Sequence, residues 1–235
     1  TMKRDEFLKE IDKLGITLNE RQLNQLEKFY KLLIEWNQKI NLTTIISEEE
    51  VYLKHFYDSL TLVKEINLDQ KLKLCDVGSG AGFPGIVLKI CFPKLEIVLV
   101  EALQKRVNYL NDIIKKIGLT DIIAIHARME DFSRVNEEKF DMITARAVAN
   151  LNVLLEISVR ALKIKGQMIF MKANCEEEIN HSRQALNKLS CNIVHINKFK
   201  LPIENSKRTI ITVVKQEKTK NIYPRTIDKI KKNPL

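Results

Sequence analysis

The chain has 235 residues, 45% apolar and 29% charged, with a formal net charge of +9. That excludes a disordered composition and suffices for one large globular domain with an appended element. No apolar run approaches the roughly 20 residues that cross a bilayer, and the opening TMKRDEFLKE lacks the apolar core of a secretory signal, so a cytoplasmic protein with no membrane partner is expected.

Thr1 ahead of Met2 reads as a residue left by expression. Residues 1–65 read as a helical extension. Leu23, Leu26, Phe29 or Tyr30, Leu33, Trp36 and Ile40 recur every three or four positions, an apolar stripe on one helix face. Thr17 with Glu20, and Ser47 with Glu50, have the spacing of a capping box ahead of helical runs. Residues 66–215 read as the core. Strands are predicted at Leu72–Val77, Glu96–Val100, Ile122–His126, Phe140–Ala145 and Gln167–Met171; their Ile- and Val-rich runs lack strict alternation, as in strands buried on both faces of a parallel sheet. Helices are predicted between them at Pro84–Ile90, Leu103–Ile117 and Leu151–Ala161, and afterwards at Glu176–Leu189. Cys191–Leu201 and Arg208–Val214 are joined too tightly for a crossover helix and are expected to form a terminal antiparallel hairpin. The fold class is therefore α/β, a seven-stranded Rossmann-like sheet. Residues 216–235 form a basic tail, either a solvated end or an arm for phosphate backbones.

LCDVGSGAGFPG, residues 74–85, follows the first strand, where a doubly wound sheet binds its ligand. From Gly78 it reads G-x-G-x-G behind Asp76; from Gly80 it reads G-x-G-x-x-G. The first register suggests S-adenosylmethionine and the second a dinucleotide. Glycines alone do not decide, because both ligands need backbone without a Cβ in the way. A phosphate-cradling P-loop is excluded, since no Gly-Lys-Ser/Thr follows. Glu101, closing IVLVE, suits the hydroxyls of an adenosine ribose in either register. Two features favour the methyl donor. Phe83-Pro84 is bulky for a turn that presses against a pyrophosphate, and Asp76 offers a carboxylate to a ligand carrying ammonium and sulfonium. Gly78, Gly80 and Gly82 then line the cofactor. The hairpin favours a methyltransferase sheet by analogy of fold, and an NAD(P)-linked oxidoreductase is the competing reading.

Further stretches bear on the choice: WNQKINLT (36–43), HFYDSL (55–60), KRVNYL (105–110), Met129–Glu130 in ARMEDF, TARAVANL (144–151), MKAN (171–174) and LPIENSKRTIITVVK (201–215). With the glycine loop, they make the chain resemble the bacterial glucose-inhibited division protein B family of 16S ribosomal RNA guanine-N7 methyltransferases. The resemblance implies that Gly78 and Phe83 contact S-adenosylmethionine, that Met129 and Glu130 border its adenine, and that Arg146 faces both cofactor and substrate. It implies 16S rRNA or the small ribosomal subunit as partner; a monomer without a metal is expected. The chain has Lys172-Ala173 where the family has Lys-Gly, and YPRTID where its tail often reads YPRKPG. A ribosome-binding protein without catalysis is a third reading.

Attack by guanine N7 on a sulfonium methyl is an in-line displacement by a lone pair, so no proton has to leave first and no general base is required. Consistent with that, His55, His126, His181 and His195 have neither catalytic nor metal spacing, and the four cysteines, without C-x-x-C, read as buried thiols. Arg146, the charge directly after FDMITA, can donate paired hydrogen bonds to guanine O6 or phosphate; the plainer reading is a surface ion pair. Lys172, after the fifth strand, is the second catalytic candidate. His55 and Asp58 read equally as a buried pair bracing the helices against the sheet or as substrate contacts. Trp36 reads as core rather than a platform for base stacking, and Lys105 and Arg106 as a solvated helix face.

Overall fold

Helices precede the first strand in the computed structural model, which describes residues 2–235 and leaves Thr1 outside the described residues. They are α1 (Arg4–Lys13), α2 (Glu20–Asn37) and α3 (Glu48–Val51), which runs through a π-helical stretch, Tyr52–Tyr57, into α4 (Asp58–Leu60). Ser47 caps α3 as its spacing suggests, its hydroxyl accepting from the Glu50 N–H. The box at α2 is not Thr17 with Glu20 but Asn19 with Gln22, whose backbone N–H groups donate reciprocally to each other's side chains at 2.9 Å. Tertiary contact explains the shift: the Gln22 amide also donates to the Ile90 and Cys91 carbonyls, which docks this turn on the core.

The core follows as β1 (Lys73–Val77), α5 (Gly85–Cys91), β2 (Glu96–Glu101), α6 (Gln104–Ile117), β3 (Ile122–His126), α7 (Met129–Val135), β4 (Phe140–Arg146), α8 (Leu151–Ser158), β5 (Leu162–Lys172), α9 (Glu176–His181), α10 (Arg183–Lys188), β6 (Cys191–Lys200) and β7 (Lys207–Lys215). The strands make one sheet in the order β3-β2-β1-β4-β5-β7-β6, parallel except where β7 pairs with β5 and β6. Four elements of the core differ from the sequence reading by more than a residue at an end. β5 starts five residues early, because Lys163–Lys165 are exposed and carry no apolar pattern. The helix expected over Glu176–Leu189 breaks at Ser182, whose hydroxyl donates to the Ile179 carbonyl at 2.7 Å, a local bond that competes with the helix. α8 gives way to a 3₁₀ turn, Val159–Ala161. Seven-residue α7 is too short to show a period.

Alternate residues of a strand face opposite sides. Leu74, Leu99, Met142 and Ile169 pack with α1, α2, α5 and α6, whereas Cys75, Val77, Ile143, Ala145 and Phe170 pack with α7 and α8. The second side also takes Tyr223, Ile230 and Leu235, because the tail ends in α11 (Ile227–Lys232) folded against it. All four cysteines are buried free thiols. Among the described residues no helix is long and apolar enough to cross a membrane.

Candidate active site

Parallel registers set the site. Asp76 lies between Leu99 and Thr144, and Val77 lies beside Ala145, so the glycine loop leaving β1 and Arg146 ending β4 emerge side by side. Asp76 is fully buried. Its Oδ2 accepts the Gly85 N–H at 2.9 Å, and Oδ1 has no hydrogen-bond partner among the described residues. Burial pushes this carboxyl up to about 7, against the hydrogen bond from Gly85 that lowers it. Two glycines make the packing possible. A Cβ on Gly85 would stand 2.7 Å from Asp76 Oδ2, and one on Gly78, which has φ +64°, would stand 2.8 Å from Val148. The Gly80 N–H donates to Glu101 Oε2 at 2.9 Å, so the acid that ends β2 and the loop after β1 are tied together. The other Glu101 oxygen accepts from the Leu103 N–H at 3.3 Å.

A cleft of about 230 Å³ opens beside the loop, lined by Gly78, Val100, Met129, Glu130 and Val148. Glu130 is buried and its Oε1 has no partner among the described residues. Gly82 lies at the start of the turn into α5, and Phe83 is buried behind the loop. These residues fit S-adenosylmethionine: two buried carboxylate oxygens lack donors, and an ammonium and an adenine amine are donors. They do not fit a pyrophosphate, because the N–H that opens α5 already holds the Asp76 carboxylate where a dinucleotide needs free amides. Ile227 and Lys231 of α11 form part of the cleft wall, a role with no signal in the tail's composition.

On the other side of Arg146 lies a pocket of about 470 Å³, bounded by the helical extension through Lys54, His55 and Asp58, and by the sheet through Met171, Lys172 and Arg208. Arg146 is gripped from the extension. Its guanidinium donates to the Lys54 carbonyl at 2.9 Å, to His55 Nδ1 at 2.9 Å and to Asp58 Oδ2 at 3.3 Å. Arginine can only donate, so His55 Nδ1 accepts and Nε2 carries the hydrogen, directed to Thr43 Oγ1 at 3.0 Å. Burial, and then the Arg146 charge, pull the His55 pKa down to about 3. Phe83 is the floor beneath this pair: its ring stacks on His55 at 4.3 Å between centroids, with the Arg146 guanidinium 5.2 Å away.

Asp58 also accepts from Arg208 Nε at 3.1 Å, so one carboxylate joins the arginines of β4 and β7. Burial raises its pKa against the pull of both guanidinium groups. The bracing role of His55 and Asp58 is thus realised, at the wall of a pocket. Lys172 donates to the Ala149 carbonyl and to Glu178 Oε2, which also accepts the Leu151 N–H, so it holds the loop after β4 in place. Trp36 donates to Asp112 at 2.8 Å and packs edge-on to Tyr109. Arg106 lies 3.8 Å from Glu101. Sequence reasoning did not single out Arg208, which with Lys207 opens the apolar strand TIITVV much as Arg146 closes FDMITA.

The family described as rRNA small subunit methyltransferase G matches residues 22–210. The ribosomal RNA small subunit methyltransferase G of Geobacillus sp. (strain WCH70) is 44% identical over 233 residues, 98% of each chain. Its counterpart from Bacillus cereus (strain ZK / E33L) is 44% identical over 227 residues, 95% of each chain. Among solved structures, an S-adenosylmethionine-dependent methyltransferase from Aquifex aeolicus covers 77% of this chain and 98% of its own at 17% identity, with a TM-score of 0.53. Aeropyrum pernix fibrillarin with natively bound S-adenosyl-L-methionine covers 66% and 71% at 16% identity, with a TM-score of 0.52. Likeness at those identities is of fold, and the fold is that of a methyltransferase whose cofactor is S-adenosylmethionine. Matched over most of its length and aligned nearly end to end with these relatives, the chain belongs to the rRNA small subunit methyltransferase G family.

Proposed function

We propose that the protein methylates N7 of a guanine in the 16S rRNA of the small ribosomal subunit, acting in the cytoplasm with S-adenosylmethionine as donor. The observation that carries this reading is the presence of two concavities flanking the loop after β4: a cleft beside the glycine loop into which buried Glu130 brings an oxygen without a partner among the described residues, and a pocket of nucleobase size walled by arginines. When bound, the cofactor supplies an electrophilic methyl group on a positively charged sulfur. On this reading the free oxygens of Asp76 and Glu130 are assigned to its ammonium and adenine, and the remaining acceptor capacity of Glu101, whose oxygens already take the Gly80 and Leu103 N–H groups, to its ribose. Arg146 keeps Nε–H and one Nη2 hydrogen without an acceptor among the described residues, and these can take guanine O6, holding the ring so that N7 points across the strand ends.

The pocket supports a reaction without a general base. The His55 Nδ1 lone pair is occupied by Arg146, and the Asp58 carboxylate is divided between two arginines. Neither is free to take a proton, and N7 has none to give. Lys172 acts as a positioning residue through the Ala149 carbonyl and Glu178. The chain's contribution is orientation, which in well-placed intramolecular reactions is worth effective molarities of roughly 10⁵–10⁸ M. The test is transfer of labelled methyl to 16S rRNA and to small subunits lacking the modification, with the product mapped at nucleotide resolution. One N7-methylguanine is expected; no incorporation, or a methyl group on any other atom, overturns the reading.

A further inference from the structure

The pocket does not end at Arg208. A second concavity, about 340 Å³, continues from it across the end of the β6–β7 hairpin, and Ala173, Asn174 and Arg208 belong to both. Its other walls are Lys198, Lys200 and Lys207. In the antiparallel register Lys200 stands directly opposite Lys207, and Lys198 opposite Thr209. Directly opposed residues project to the same face of the sheet, so Lys200 and Lys207 are like charges side by side, an arrangement that costs stability. Neither has a carboxylate within ion-pair distance among the described residues. The single acid of the groove, Glu176, is taken by Lys198 at 2.6 Å in an exposed pair of the kind that contributes little.

We propose that this groove is the track for the RNA backbone next to the methylated base, with Lys200 and Lys207 each taking a phosphate. The proposal rests on the pocket being the acceptor site for a guanine. A nucleotide chain accounts for the features together: a base enters the pocket walled by Arg146 and Arg208, and the phosphates that follow it lie where two opposed lysines have no counter-charge of their own. An acidic peptide would satisfy the lysines but has no base to deliver to the adjoining pocket. Like-charge repulsion across the hairpin is relieved when phosphates lie between the ammonium groups.

The test is equilibrium binding to a 16S rRNA transcript over a series of KCl concentrations, with cofactor affinity measured in parallel. Lys200→Glu/Lys207→Glu is expected to weaken RNA binding roughly tenfold or more and to flatten the log–log salt slope by about 1.4, since each single-strand phosphate contact contributes about 0.7. Cofactor affinity is expected to stay unchanged. Lys200→Arg/Lys207→Arg should retain both affinity and slope. The charge-matched control Lys9→Glu/Lys115→Glu, on exposed faces of α1 and α6, should leave the slope in place. An unchanged slope in the hairpin variant, or equal losses in hairpin variant and control, overturns the groove. A wild-type protein that shows the hairpin-dependent slope but transfers no methyl group overturns the proposed reaction and upholds the groove. Wild-type protein that binds neither the transcript nor small subunits lacking the modification overturns both.

Discussion

Asp76 and His55 lie in one site and respond to acid in opposite directions. Burial raises Asp76 from 3.8 to about 7, so the folded chain holds a proton that the unfolded chain has lost; its contribution to stability falls as pH rises from about 4 to about 7. His55 is lowered from 6.5 to about 3, so the unfolded chain takes up its proton first and stability is lost as pH falls below 6.5. Where the windows overlap the two offset each other, each by up to about 1.4 kcal/mol per pH unit. Asp76→Asn removes one of them. The melting temperature of this variant, compared with wild type in scans at pH 5 and pH 8, is expected to be relatively lower at pH 5; a difference independent of pH would count against a raised Asp76. A cationic ligand at Asp76 Oδ1 favours the ionised carboxylate, so cofactor affinity should rise with pH through about 7 in wild type and not in Asp76→Asn. Calorimetry in buffers of different ionisation enthalpy reads the released proton directly. Arg146→Lys keeps the charge but loses the planar fork that reaches Lys54, His55 and Asp58 together. Its turnover on 16S rRNA is expected to fall by about 100-fold or more, the scale of losing an oriented donor, with cofactor affinity little changed.

At the scale of elements, the site is a junction of three segments far apart in sequence: the π-helical turn before Asp58, the end of β4 and the start of β7. Asp58 and Arg208 are 150 positions apart, and no local pattern could have paired them. What local pattern does show is the core. Strands covered on both faces are mostly apolar, so β1, β2 and β4 are readable to within a residue or so, and the edge strand β3 is readable from its Ile-rich run although it is only partly covered. The exposed half of β5 and the seven-residue α7 lacked that signal. Glycines and single charges at strand ends made Asp76, Gly78, Glu101 and Arg146 visible, whereas the partners that occupy Arg146 and Lys172 follow only from tertiary packing. Asp58→Ala tests the junction. It leaves two largely buried guanidinium groups without their shared carboxylate and should cost about 3–5 kcal/mol, the range for breaking a buried pair. Arg208→Ala leaves Asp58 its Arg146 partner and should cost less. Denaturant unfolding of both variants reads the order, and equal losses would mean that the carboxylate does not join the two strands.

Across the whole molecule, the two ends of the chain lie on opposite sides of the sheet and each supplies one half of the site. The amino-terminal helices bring Lys54, His55 and Asp58 to the pocket; the tail brings Ile227 and Lys231 to the cleft beside the glycine loop, the cleft proposed above for the cofactor. Read from its charge, the tail was either a solvated end or an arm for phosphates, yet it is fastened to the core. The Arg225 side chain and backbone N–H donate to buried Glu156 at 2.8–3.0 Å. Arg160 and Arg134 donate to the Tyr223 and Pro224 carbonyls, and the Asn152 amide to the Leu235 carbonyl. Ile230 is fully buried between them. Ile230→Ala should therefore cost about 2–5 kcal/mol as a cavity in a packed interface, and by loosening α11 it should weaken cofactor binding as well. Lys231→Ala, exposed at the cleft mouth, should leave the melting temperature unchanged and alter only cofactor affinity. If the tail serves the cofactor side, neither variant changes the salt slope of rRNA binding, because the phosphate contacts lie on the β6–β7 hairpin. A slope that flattens in Lys231→Ala by the roughly 0.7 of one phosphate contact would instead make the tail an RNA arm.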